Sequence, residues 1–203
     1  MAQDTIELVK HLGIKRFNLF GGSMGELHFV LPLNIPSDLK LEKLVIGASS
    51  ARVRPGIGAY PRIEQIYNLP ELNHPKTIKE QKEQLLNSDD ITLARYLLEH
   101  PDELNKVAEI IVSTNYRRPF EIFKRQWEAM KQVDFVSRLH LIKVPTLIIH
   151  GDADETVPID EGELLDREIP NTQFHRIPNV GHGLYIMAFE PVNIINIINE
   201  FLN

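Results

Sequence analysis

The chain has no cysteine. Disulfides, thiolate nucleophiles and thiolate-bound metals are excluded, and a cytoplasmic setting is the expectation. A basic excess is also lacking, since 22 Lys and Arg stand against 28 Asp and Glu, for a formal net charge of -6. Binding along a phosphate backbone needs a cationic footprint, so a nucleic-acid partner is not expected. No apolar run approaches the ~18 residues of a membrane span, so no membrane span is expected. The opening "MAQDTIELVK" carries acidic residues and no continuous apolar block, which does not read as a signal peptide. What is present is a chain of 203 residues, 43% hydrophobic and 25% charged. That suffices for one sizeable core, or for one core with an inserted subdomain.

Hydrophobic patterning alternates between strand and helix. A first helix is expected with Asp4 as its cap and Glu7 completing a capping box. Ile6, Val9 and Leu12 would form its apolar face and Gly13 its stop. "KRFNLFGG" reads as a strand over residues 16–21, "LHFVLPL" as a helix ended or kinked by Pro32, and "LEKLVIGASS" as a strand over 43–48. A strand, a helix and a strand at this spacing make a βαβ unit, hence a parallel sheet with helices on its faces. Residues 51–75 are rich in glycine and proline and read as a long connection. Residues 76–139 then read as almost wholly helical. Strand patterns return at 145–150 and 173–177, separated by the helical "IDEGELLDREIP", and an amphipathic helix follows Pro191.

The chemistry-bearing residues fall at the ends of these strands. Gly21-Gly22-Ser23-Met24-Gly25 has the pattern G-x-S-x-G, after a strand and before a helix. A sharp reversal there needs small neighbours, lifts the serine hydroxyl above the sheet and aims N–H groups at the helix start. A serine needs a base and a group that orients the base. "IIHGDADETVP" offers Asp152 and Asp154, between which spacing alone does not decide. "IPNVGHGLYI" places His182 between glycines, an unusual setting for a core histidine, whereas His150 ends a strand and reads as a support for its turn. Serine, acid and histidine each follow a separate strand, and so meet at the carboxyl edge of one parallel sheet, where ligands bind in open α/β sheets.

On "LVKHLGIKRFNLFGGSMG", "IKVPTLIIHGDADETVP" and "FHRIPNVGHGLY", the chain resembles the α/β-hydrolase fold family, in its capped serine hydrolase and esterase branch. The resemblance implies Ser23 as nucleophile, Asp154 as the acid, His182 as the base and the Met24 N–H as an oxyanion donor. It implies a partial α/β-hydrolase fold, a mostly parallel sheet flanked by helices. Its core would comprise residues 1–54 and 139–203, and residues 55–138 would form an inserted helical cap. Serine at the elbow argues against the aspartate-based dehalogenase and epoxide hydrolase chemistries of the same family. The expected activity is hydrolysis of carboxylic ester or related acyl bonds in a small-molecule substrate, with no cofactor or metal called for. Among the cap aromatics Tyr60, Tyr67, Tyr96, Tyr116, Phe120, Phe123 and Trp127, most are expected to pack helices and some to line an acyl pocket.

Residues 1–22 alone precede Ser23, fewer than the several strands that relatives place before the elbow. The expectation is an apparent lack of the amino-terminal strands and of the second oxyanion donor, a loss of about 2.7–4 kcal/mol of transition-state stabilisation. The elbow strand would then be an edge, open to self-association or pairing with another chain. Phe17, Leu19 and Phe20 suggest burial on both of its faces. The alternative function is a catalytically weak or inactive binding protein of the same fold. A nucleotide-binding reading is disfavoured, because "GGSMGE" lacks the G-x-G-x-x-G spacing.

Overall fold

Four short apolar runs become four parallel strands. The computed structural model describes residues 2–23, 35–70, 74–114, 119–185 and 194–203. In it β1 (Arg16–Gly22), β2 (Lys40–Gly47), β3 (Thr146–Gly151) and β4 (Thr172–Ile177) lie side by side in chain order. All three pairings are parallel. The helices are α1 (Ala2–His11), α2 (Tyr60–Tyr67), α3 (Ile78–Leu86), α4 (Ile91–Glu99), α5 (Pro101–Ser113), α6 (Phe120–Met130), α7 (Ile159–Glu168) and α8 (Ile194–Leu202). This is a mostly parallel sheet flanked by helices, with further helices inserted between β2 and β3, the partial α/β-hydrolase architecture expected above. Among the described residues no helix is long and apolar enough to cross a membrane.

Alternation along the central strands divides the core into two. Val45, Leu147, Ile149 and Ile177 face one way, onto Leu93 and Leu97 of α4, Leu104 of α5 and Ile194 of α8. Leu44, Ile46 and Ile148 face the other way, onto Leu139, Ile142 and the α7 residue Leu165. Both faces of β2 and β3 are therefore covered, as parallel strands require. The smaller cluster of Ile6, Val9 and Leu39 seats α1 beside Phe17 and Leu19.

Several local expectations change. α1 starts at Ala2, so Asp4 lies in its first turn instead of capping it, where a carboxylate still suits the helix dipole. Leu12 is 59% exposed and does not join the apolar face. β1 is not buried on both faces, because it lies at the edge of the sheet formed by the described residues, where Phe20 is 48% exposed. The 51–75 connection contains α2, which escaped the periodicity because it has eight residues and no fully buried one. The helix expected over "LHFVLPL" falls outside the described residues.

The strand register brings the carboxyl ends level. Gly22 pairs with Gly47 and Gly151 with Ile177, so the loops that follow share one edge of the sheet. Gly151 has a packing reason to be glycine: a Cβ there would lie 2.0 Å from the Val180 carbonyl oxygen. The atoms met there are all backbone, of Val180 and Gly181, which leaves little room to yield. Gly151→Ala is expected to cost about 3 kcal/mol, at the upper end of overpacking effects. That lowers the melting temperature of a chain this size by roughly 6–12 °C. Thermal unfolding followed by circular dichroism checks it, and an unchanged melting temperature contradicts it.

Candidate active site

Ser23 directly follows the last residue of β1, and its φ is +50°. Side chains with a Cβ seldom occupy the left-handed region, and such backbone concentrates at functional sites. The turn delivers the Ser23 hydroxyl to His182, whose Nε2 lies 2.7 Å from the Ser23 Oγ. On the opposite side of the ring, Nδ1 lies 2.8 Å from Oδ2 of Asp154. A histidine bonded in this way donates its Nδ1–H to the carboxylate and offers the Nε2 lone pair to the hydroxyl. The buried Asp154 side chain is held by its turn, with Oδ1 accepting from the N–H groups of Thr156 (2.9 Å) and Val157 (2.8 Å).

Asp152, the other acid left open by the spacing, does something else. Its Oδ1 accepts from the Asn179 N–H at 2.7 Å, and its Oδ2 lies 3.6 Å from Arg176 Nε. It ties the turn after β3 to the turn after β4. Ser23, Asp154 and His182 are thus brought together, while Met24 lies outside the described residues.

His150 supports the acid turn from below. Its Nε2–H donates to the Val157 carbonyl at 2.8 Å, and its ring packs on Gly162 of α7, where a Cβ would lie 2.6 Å from Nδ1. Nδ1 itself is buried, with no hydrogen-bond partner among the described residues. Burial holds the imidazole pKa below its ordinary value of 6.5, outweighing the Val157 carbonyl and the Asp154 carboxylate, which favour the charged ring. The folded protein therefore resists a proton that the unfolded chain accepts. This contribution to stability is complete above about pH 6.5 and is lost as the pH falls below it. An NMR titration of the folded protein should give His150 a midpoint below 6.5, with the urea midpoint falling from pH 7.5 to 5.5. A His150 midpoint at or above 6.5 contradicts it.

Ser23 opens onto a cavity of about 390 Å³. Its apolar wall includes Ile57, Ile63, Ile66, Phe123, Trp127 and Met130, drawn largely from α2 and α6. Of the aromatics of the helical insertion, Tyr60, Phe123 and Trp127 line it. Tyr60 and Trp127 meet edge to face with centroids 5.1 Å apart, and the indole N–H donates to Glu64. Tyr116 lies outside the described residues.

The polar wall was not legible in the sequence. Arg52 and Arg54 follow β2, and both guanidinium groups bond through Nε to Glu161, at 3.2 Å and 2.6 Å. Glu161 is 2% exposed, so its charge needs this pairing. Asp160, which also pairs with Arg54, faces outward with its side chain half exposed. Two guanidinium groups thus share one buried carboxylate beside the serine. Alternate arginines in "ARVRPG" were the available signal, but that stretch reads as a connection.

The family described as alpha/beta hydrolase fold matches residues 112–188. The chain is 27% identical, over 96% of its length, to the 2-hydroxy-6-oxononadienedioate/2-hydroxy-6-oxononatrienedioate hydrolase 2 of Pseudomonas putida, and spans 65% of that protein. It is 26% identical, over its whole length, to 72% of the AB hydrolase superfamily protein YisY of Bacillus subtilis. The crystal structure of a hydrolase from Pseudomonas aeruginosa superposes with a TM-score of 0.73 at 22% identity, covering 100% of this chain and 70% of that one. Parallel strand order, loops gathered at the carboxyl edge and likeness along the whole chain together show that this protein has the α/β-hydrolase fold.

Proposed function

We propose that the chain is a serine hydrolase of carboxylic ester or related acyl bonds. The observation that carries this reading is the pair of contacts, 2.8 Å and 2.7 Å, linking Asp154 to His182 and His182 to Ser23 at the mouth of a cavity. In the first half-reaction His182 Nε2 takes the Ser23 proton as Oγ attacks the substrate carbonyl. Asp154 holds the imidazole in its Nδ1–H tautomer and stabilises the imidazolium. The backbone N–H of Met24, next to the nucleophile, serves the developing oxyanion. The imidazolium then protonates the leaving group, which departs and leaves an acyl-Ser23 ester. In the second half, His182 deprotonates water, hydroxide attacks the acyl carbonyl, and Oγ leaves with the returned proton.

The substrate is a small acyl compound with an apolar body, matching the walls contributed by α2 and α6. Residues 55–138 act as its cap, between core segments 1–54 and 139–203. Arg52, which lines the cavity and meets Glu161 through Nε, offers its terminal N–H groups to a carboxylate on that substrate, in keeping with the dioate named for the Pseudomonas putida relative.

A fluorophosphonate probe tests the reading, since it phosphonylates an activated serine. Folded wild-type protein is expected to label and to hydrolyse at least one member of a panel of neutral and anionic short-chain esters. No labelling, together with turnover at the buffer rate, overturns it. The second reading is then a binding protein of the same fold, favoured by the edge position of β1 and the half-exposed Phe20. Self-association through that edge belongs to it.

A further inference from the structure

The loop that carries His182 is held from two sides. On the sheet side, Ala153 N–H donates to the Val180 carbonyl at 3.1 Å, and Asp152 binds the Asn179 N–H. The other side is the start of α4, within the helical insertion. There Asp90 Oδ2 accepts from the Gly183 N–H at 2.5 Å, and Thr92 Oγ1 accepts from the Gly181 N–H at 2.7 Å. These two amides bracket His182.

The two acceptors are themselves fixed. The Thr92 hydroxyl donates to Asp90 Oδ1 at 2.7 Å, and the same oxygen accepts from the Leu93 N–H at 3.0 Å as the helix N-cap. Contact is too close for side chains on the loop. A Cβ on Gly181 would lie 2.3 Å from Asp90 Oδ1 and 2.4 Å from Thr92 Oγ1, and one on Gly183 would lie 2.9 Å from Leu93. The glycines on both sides of His182 are thus the condition for seating its loop on α4.

We infer that Asp90 and Thr92 are positioning residues for His182. The inference rests on the proposed triad. One imidazole must reach Ser23 and Asp154 together, and its two flanking amides set where its backbone lies. Neither Asp90 nor Thr92 is assigned any contact with substrate. They act through the loop, and they place control of the base on a helix outside the sheet. A misplacement of about 1 Å at such a group costs about 100-fold in rate.

The test compares Asp90→Ala and Thr92→Val with Thr92→Ser, which keeps the acceptor hydroxyl for the Gly181 N–H. Thr77→Ala is the control, because Thr77 caps α3 with its own capping box and none of its bonds reaches the loop. Thr92→Val leaves the Asp90 cap in place, so it stands even where Asp90→Ala fails to fold. The first two variants are expected to lose about 10–100-fold in kcat with little change in KM, since substrate binding is untouched. Thr92→Ser should recover most of that loss, and Thr77→Ala should match wild type.

The second readout needs no turnover. The hydrogen-bonded Nδ1–H of His182 gives a downfield proton resonance, expected in wild type and Thr77→Ala and absent from Asp90→Ala and Thr92→Val. Unchanged kcat in folded Thr92→Val overturns the inference, as does an equal loss in Thr77→Ala. Wild type that hydrolyses no ester removes the functional reading alone. The resonance then decides, and its retention in Thr92→Val overturns the positioning role.

Discussion

Ser23→Ala is expected to lower kcat by roughly 10⁴–10⁶-fold, the loss typical of removing a serine nucleophile from a triad. Stability should change little. The Ser23 hydroxyl is bound to His182, and the Ser23 carbonyl, which accepts from Ser49 Oγ at 3.2 Å, is retained in the variant. Alanine does inherit the positive φ, so any stability change comes from the backbone, which serine already strains. Fluorophosphonate labelling should vanish along with ester turnover, while the circular dichroism spectrum and melting temperature stay close to wild type. Retention of labelling in Ser23→Ala would move the nucleophile elsewhere and sink the assignment.

Asp154→Asn should be nearly as damaging to rate while leaving the fold in place. The asparagine carbonyl takes over the Thr156 and Val157 N–H groups now held by Oδ1, so the acid turn survives. Its amide, however, presents N–H to His182 Nδ1, where a carboxylate accepted. The imidazole then adopts the Nε2–H tautomer and cannot take a proton from Ser23. A kcat loss of about 10⁴-fold follows. Asp152→Asn is the matched comparison: it keeps an acceptor for Asn179 and has no bond to the imidazole, so its activity should stay close to wild type. Equal losses in the two variants would show that the effect is not the orientation of His182.

How much of this was readable from residues follows from the range of the interactions. Strands β1 to β4 were legible because period-two and continuous apolar runs are local signals bounded by glycine and proline. Their parallel order followed from helices recurring between them. α2 was hidden because eight residues without a buried position give no period to detect. The edge exposure of Phe20 was misjudged because an apolar run reports what a strand is able to bury, not what lies beside it.

The site divides along the same line. Ser23 announces itself through the glycines of "GGSMG", and His182 through those of "VGHGL", since a tight reversal and a close seat each demand small neighbours. Yet the seat that the His182 glycines serve is α4, and nothing near residue 182 in the chain names Asp90 or Thr92. "SDDITLARYLLEH" displays a helix cap, which Asp90 is, and hides the second bond it makes to Gly183.

The sequence by itself therefore determined the sheet, its parallel order, and the delivery of a serine, an acid and a histidine to one edge, because each depends on patterns a few residues long. Tertiary structure decided which of two acids meets the imidazole, since the turn after β3 aims Asp152 at Asn179 and Asp154 at His182. It also decided that Arg52 and Arg54 meet on Glu161, and that α4 grips the histidine loop. Those pairs are separated by roughly 90 residues or more, and a contact made across such a loop is set by how the elements pack, which no local pattern encodes.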